Sequence, residues 1–317
     1  MAKRWLPSSE SRRVPPVSET NREAAGMRTA TSNEAFRRVF FLLLLAAVLA
    51  YAGAGMWLMM RETSLIFRAG RPLGTARPAP PFEHVDLPRA DGAKQFAWAM
   101  RPREETAAAW VLYLHGNDAT VASRMNILHY DMLRALGVNV LAPEYRGYGG
   151  LDGVPSEQGL YTDARAAYDY VRERLGVPPD RIAIYGWSLG GAVAVDLASE
   201  VPHAALILEG APASLANIGQ QMYPMFPIRL IMRNPFEAVL KIGRVTAPIL
   251  ILHASEDEIV PITEGRLLFA SATAPKTFVE VRGGHVDAAR VDSATFVRSI
   301  ARLLESVQLV PSQVTGS

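Results

Sequence analysis

The 317-residue chain contains no cysteine. Disulfides, thiolate metal sites and a cysteine nucleophile are therefore excluded, while the compartment stays open, because cysteine-free chains occur on both sides of a membrane. Nor is there a surplus of either charge: 33 basic and 31 acidic residues leave a formal net charge of +2. A nucleic-acid binder carries a clear basic footprint, so that class is set aside. Lysine is scarce, at Lys3, Lys94, Lys241 and Lys276, and arginine carries most of the positive charge. The sequence has no internal repeat, and no motif in it signals a metal or an organic cofactor.

What the chain has instead is one long uncharged run. Val39 to Met60 reads VFFLLLLAAVLAYAGAGMWLMM. At about 1.5 Å per residue a helix of this length reaches roughly 30 Å, the hydrocarbon thickness of a bilayer. Arg37 and Arg38 precede it, Arg61 follows it, and Trp57 lies near its far end, where an amphipathic ring favours the interface. A transmembrane signal-anchor over residues 37–61 is the expectation. A cleaved signal peptide is the rival, with small-residue sites at Ala50-Tyr51-Ala52 and Ala52-Gly53-Ala54, and a start at Met27 strengthens it. A core helix is rarely apolar all round for so long. Basic residues are denser before the run than after it, which places the N-terminus in the cytoplasm and the following domain on the outer, periplasmic side. Residues 1–36, poor in large apolar side chains, are expected to be a disordered tail. The Pro- and Ala-rich stretch ending at Pro81 closes a stalk over 62–81, and 308–317 forms a C-terminal tail.

Between 82 and 307 strands and helices alternate. Phe82–Leu87 and Gln95–Met100, joined through Asp91-Gly92, read as an antiparallel hairpin. Further strands are expected at 108–114, 138–142, 181–185, 205–208, 249–253 and 277–281, with helices at 120–136, 156–175, 189–199 and 287–307. Alternation of this kind means an α/β fold, a mostly parallel sheet with helices on both faces. It breaks between Asn217 and Leu240, a Pro-rich apolar stretch read as a short lid. Met222, Tyr223, Met225, Phe226, Ile228, Leu230, Ile231 and Met232 there would suit an apolar acyl chain, and would equally suit packing against the core.

Gly186-Trp187-Ser188-Leu189-Gly190 fits G-x-S-x-G. The pattern is weak alone and strong here, because it follows the strand RIAIY and opens the helix GGAVAVDLAS. Glycines on both sides permit a close strand–helix approach, and a sharp turn projects Ser188 over the sheet's carboxyl end. A serine hydroxyl needs a base, and the base needs an orienting group. Of the six histidines, at 84, 115, 129, 203, 253 and 285, only His285, in Arg282-Gly283-Gly284-His285, lies late in the chain in a glycine loop just after a strand, and it is the candidate base; His253 ends a core strand and His129 is on a helix. The acid is expected after the strand ending at His253. Asp257 stands at that loop's apex, with Glu256 and Glu258 as solvated neighbours, and Glu209 at the end of the preceding strand is the competitor. The N–H of Leu189 and that of Asn117 are the candidate oxyanion donors, with Asp118 as the alternative to Asn117 and His115 bracing their loop.

The runs LYLHGN (112–117), EYRGYGG (144–150), PSEQGLYTDARAAYDYV (155–171), YGWSLGGAVAVDLAS (185–199), SEDEIVP (255–261) and GGHVD (283–287) together resemble the membrane-anchored α/β-hydrolase-domain proteins, a branch similar to the serine aminopeptidase-type hydrolases. The resemblance covers about residues 62–306. It implies the α/β-hydrolase fold, a single N-terminal span and a Ser-Asp-His site, here Ser188, Asp257 and His285. One departure concerns the pocket wall: Glu209-Gly210-Ala211-Pro212 stands where relatives run into an Asn-Thr-Phe-like segment. The expected function is a serine hydrolase acting on ester or thioester bonds through an acyl-enzyme. A serine peptidase of aminopeptidase type, a cofactor-free perhydrolase and a non-catalytic membrane-bound scaffold are the alternatives. A small-molecule or acylated substrate and the membrane are the expected partners, and the sequence leaves the oligomeric state open.

Overall fold

A computed structural model describes residues 19–89, 91–102 and 108–311, with the side chains of 19–32 and 35 left aside. The expected tail lies outside the described residues up to 18, as does the C-terminal segment from 312. The chain divides into two compact units, Met1–Leu58 and Met59–Ser317.

The first unit is helical. Helix α1, Glu19–Ile66, contains a stretch from Phe36 that is long and apolar enough to cross a membrane. Its large side chains from Phe36 through Leu49 are exposed on every side, as a span requires and a core helix does not allow. Two expectations are corrected here. Residues 19–36, expected in the tail, are helical: no proline lies between Pro16 and Pro72, and Ala, Glu, Arg and Met are strong helix formers. The helix also passes the expected end of the anchor at 61 and runs to Ile66.

The second unit is built on an eight-stranded sheet: β1 (Phe82–Asp86), β2 (Phe96–Met100), β3 (Trp110–Leu114), β4 (Asn139–Pro143), β5 (Ile182–Trp187), β6 (Ala205–Glu209), β7 (Ile249–Ala254) and β8 (Lys276–Val281), in spatial order β1-β2-β4-β3-β5-β6-β7-β8. The β1–β2 and β2–β4 pairs are antiparallel and the remainder parallel. Strands β3 to β7 are buried along their whole length, which explains their continuous apolar runs. Alternation splits them between two cores. Leu112, Leu114, Ile184, Leu206, Leu208 and Ile251 face one, while Val111, Tyr113, Tyr185, Ile207 and Leu252 face the other.

The helices are α2 (Arg124–Ala135), α3 (Glu157–Asp169), α4 (Leu189–Ala198), α5 (Leu215–Met222), α6 (Ile228–Ile231), α7 (Ile262–Ser271), α8 (Ala288–Val291) and α9 (Ser293–Ser306). Helix α3 starts where Ser156 predicts: its Oγ accepts the Gly159 N–H at 3.1 Å. Beyond Asp169 it widens into one turn of π-helix, Tyr170–Arg174. The single closing helix expected over 287–307 is broken at Asp292 into α8 and α9.

The expected stalk at 62–81 is not a free stalk. Phe67 is fully buried in the core, and the Tyr148 hydroxyl donates to its carbonyl. Gly70 N donates to Gly147 O at 2.9 Å, and Arg134 donates to Ala79 O at 2.6 Å. The aromatic ring at 67 drives this docking, since leaving it in water would forgo roughly 2 kcal/mol of burial. The C-terminal tail likewise begins later than 308: Leu309 is buried, and Arg181 donates to Gln308 O at 2.8 Å.

Candidate active site

Strand β5 ends at Trp187, helix α4 begins at Leu189, and Ser188 is the one residue between them. Its backbone is left-handed, φ 54° and ψ −124°, which a non-glycine residue adopts only under constraint. The constraint is the approach of the chain on either side. A Cβ added at Gly190 would lie 2.1 Å from Leu114 O, and one at Gly186 would lie 2.4 Å from Gly190 O. Ser188 N donates to Glu209 O at 2.8 Å, so the turn is also tied to the end of β6.

The structure brings Ser188, His285 and Asp257 into one chain of contacts. His285 Nε2 lies 2.8 Å from Ser188 Oγ, and His285 Nδ1 lies 2.7 Å from Asp257 Oδ2. With Nδ1–H donating to the carboxylate, Nε2 is left as the acceptor for the serine hydroxyl. The glycine loop behind His285 is held by Gly284 N donating to Asp287 Oδ1 at 2.8 Å. Asp257 occupies the turn after β7, where its Oδ1 accepts the N–H groups of Ile259 (3.0 Å) and Val260 (2.7 Å). Burial works to raise the Asp257 carboxyl. The hydrogen bond and charge of His285, with the Val260 and Ile259 N–H groups, outweigh it and hold the carboxyl below its ordinary value. Glu256 and Glu258 are exposed on either side.

His253 lies below this carboxylate. Burial pushes its imidazole down, so it stays neutral, and Nε2–H donates to Val260 O at 2.8 Å. Glu209 is engaged elsewhere. Its Oε2 accepts from the Tyr185 hydroxyl at 2.6 Å and stands 2.8 Å from His129 Nε2. Burial works against the charged His129, but the charge and hydrogen bond of Glu209 outweigh it and raise the imidazole above its ordinary value. The residues the sequence left unassigned are thus Tyr185, His129 and Trp187. The Trp187 ring stacks with both His129 (5.6 Å, 27°) and His285 (6.2 Å, 24°). Its place inside G-x-S-x-G was the available signal.

The loop after β3 closes the site from above. A Cβ on Gly116 would lie 3.0 Å from Ser188 Cβ, which sets how near this loop runs. His115 braces it, with Nε2 at 2.9 Å from Glu144 Oε1 and Nδ1 at 2.8 Å from Gly116 O. Glu144 Oε2 accepts Val121 N at 3.1 Å, which gives the EYRGYGG run a role in holding the loop. Asn117 Nδ2 donates to Ile66 O at 2.7 Å. Asp118, with φ 54°, pairs with Arg71 at 2.5 Å and Arg68 at 3.6 Å. Leu189 opens α4, so its N–H has no acceptor within the helix. Among the described residues, no group of three or more His, Cys, Asp or Glu could hold a metal ion.

In the lid segment Ile228 is buried, while Met222, Met225 and Leu230 are exposed. A cavity of about 630 Å³ lies between Thr63, Pro155, Tyr161, Asn234 and Lys241, and neither Ser188 nor His285 lines it.

Residues 111–242 match the model of the alpha/beta hydrolase family. An uncharacterized protein of Mycobacterium tuberculosis is 36% identical over 263 residues, 81% of this chain and 93% of that protein. The alpha/beta hydrolase domain-containing protein WAV2 of Arabidopsis thaliana is 31% identical over 225 residues, 65% of this chain and 73% of that one. The chain belongs to the α/β-hydrolase family. As an α/β hydrolase it also superposes on an esterase of Pyrococcus furiosus, with TM-score 0.65 at 17% identity over 76% of this chain and 97% of that one. That identity supports a shared fold. In this α/β hydrolase the antiparallel β1–β2 edge precedes the parallel strands, and the Ser188 turn stands at the carboxyl end of the central β5.

Proposed function

We propose that this α/β hydrolase is a membrane-anchored serine hydrolase that cleaves ester or thioester bonds through an acyl-enzyme. The observation that carries the reading is the unbroken contact chain Ser188 Oγ–His285 Nε2 (2.8 Å) and His285 Nδ1–Asp257 Oδ2 (2.7 Å). Ser188 Oγ attacks the carbonyl carbon while His285 Nε2 takes its proton. Asp257 fixes the tautomer and offsets the charge of the imidazolium that results. The oxyanion forms against the N–H groups of Leu189 and Asn117, at a helix start where the positive dipole end favours it. His285 then returns the proton to the leaving group, and water activated by the same ring clears the acyl group from Ser188.

The anchor is the α1 segment around 37–61, with the hydrolase domain on the outer face by the basic bias of its flanks. The printed description of the Pyrococcus furiosus protein as an esterase agrees with ester chemistry. The test is labelling of the full chain by a fluorophosphonate, with hydrolysis of p-nitrophenyl esters from acetate to palmitate, for wild type and Ser188→Ala. Labelling and turnover lost in the variant would support the reading; a wild type inert to every probe would sink it.

A further inference from the structure

The uncharged run that begins at Val39 ends at Met60, and the residues next to that end hold the lid. The Glu62 carboxylate, buried, accepts Arg233 N at 2.9 Å, Asn234 N at 2.8 Å and Asn234 Nδ2 at 2.9 Å on Oε1, and Arg233 Nε at 3.1 Å on Oε2. Arg233 also donates to Met59 O at 2.9 Å. The lid hairpin formed by α5 and α6 therefore ends on the last turns of the anchor helix. A bilayer that contains the run up to Met60 has its headgroup layer at these residues.

The hairpin has the composition such a layer selects. Met222 on α5 is 66% exposed and Leu230 on α6 is 86% exposed, large apolar side chains that water alone would not favour there. Arg229, exposed, lies between Ile228 and Leu230 and is held to Asn217 Oδ1 at 2.5 Å, and Arg233 and Arg61 at the latch are exposed too. Apolar side chains interleaved with arginine on a short surface helix are the pattern of an element that lies in the plane of an anionic interface. The residues that fix the hairpin to the domain, Ala216, Ile228, Asn234 and Phe236, are buried.

We infer that the α5–α6 hairpin is an interfacial element that rests in the headgroup layer of an anionic bilayer, pinned there through Glu62 to the end of the anchor. The surface is independent of the chemistry proposed at Ser188, and the experiment below does not use turnover. It also accounts for the exposure of Met222 and Leu230: these side chains are directed to lipid.

Because the chain has no cysteine, single cysteines can report this directly. Met222→Cys, Leu230→Cys and Asp180→Cys, each in the full chain and carrying a nitroxide label, are reconstituted in vesicles of phosphatidylcholine with and without phosphatidylglycerol. Asp180 precedes β5 at the opposite end of the sheet and serves as the aqueous reference. Expected is a rise in collisions with oxygen and a fall in collisions with a water-soluble nickel chelate at 222 and 230, more pronounced with phosphatidylglycerol, and no change at 180. Labels at 222 and 230 that stay as aqueous as the one at 180 overturn the proposal. Dipolar broadening between labels of two chains does so as well, since it would assign the surface to a second copy. A Glu62→Gln version labelled at 230 adds a second readout: if the latch sets the depth, the label becomes more mobile and shallower, whereas an unchanged spectrum removes the latch.

Discussion

The Trp187 indole stacks on the His285 imidazole, with ring centroids 6.2 Å apart and planes 24° from parallel. The residue immediately before Ser188 thus supplies a wall for the imidazole. A flat ring held at this angle limits the swing of the imidazole out of line with Ser188 Oγ, and misplacement by about 1 Å can cost roughly 10²-fold in rate. Trp187→Leu should lower kcat about tenfold or more with little change in KM, and Trp187→Phe should recover most of it. Steady-state kinetics on one ester series checks this; a rise in KM alone would count against a positioning role.

The left-handed backbone at Ser188 sets activity against stability. Conformations of this kind cost about 1–3 kcal/mol for a non-glycine residue. Ser188→Gly should therefore raise the unfolding free energy by about 1 kcal/mol while turnover falls by about four orders of magnitude or more. Thermal and denaturant unfolding, followed beside ester hydrolysis, test the two halves separately.

Asp257 gives a prediction with a defined sign. Its carboxyl titrates below the ordinary value of 3.8 in the folded chain, so the unfolded chain binds the proton more readily. The stability it contributes is present above 3.8 and is lost as pH falls through the lower, folded value. Asp257→Asn should be less stable than wild type at neutral pH, with the gap closing in acid, and kcat should drop by about 10³–10⁴-fold because the imidazole loses its orienting charge. Urea titrations at several pH values between neutral and acid measure the gap.

The His129–Glu209 pair behaves in the opposite sense. Its imidazole titrates above the ordinary 6.5, so its stabilising contribution is complete below 6.5 and disappears as pH rises through the folded value. His129→Phe leaves Glu209 buried and uncompensated, at a cost of about 3–5 kcal/mol. The deficit relative to wild type should shrink on the alkaline side, as unfolding at graded pH would reveal; a deficit that grows there would contradict the ion pair.

The strand sequences were legible because burial on both faces leaves a continuous apolar run, and the Ser188 turn because only glycine fits at Gly186 and Gly190. His285 and Asp257 could be located by position in the chain, since each follows a strand at the sheet's carboxyl end. What escaped has a common physical origin. The docking of Phe67, the His129–Glu209 pair and the Trp187 stack are contacts between residues far apart in sequence, and no local period encodes them. The helix over 19–36 escaped for a different reason: polarity was read as disorder although the residues are good helix formers. The lid's apolar side chains suit a pocket lining and core packing equally in the sequence, and composition alone does not say which way a side chain turns.

The segment from Ile66 to Gly70 is tied to two loops at the sheet's carboxyl end, to the loop beside Ser188 through Asn117 Nδ2 to Ile66 O, and to the loop after β4 through Gly70 N to Gly147 O. The tether is therefore also a splint. Proteolysis at the small residues around Ala52 and Ala54 would shed a domain with this splint intact, whereas a cut anywhere between Phe67 and Pro81 would release a domain in which Asn117 had lost its tie to Ile66. Shedding and inactivation are separated by little more than a dozen residues of chain, so the position of a nick decides whether the enzyme is set loose or switched off.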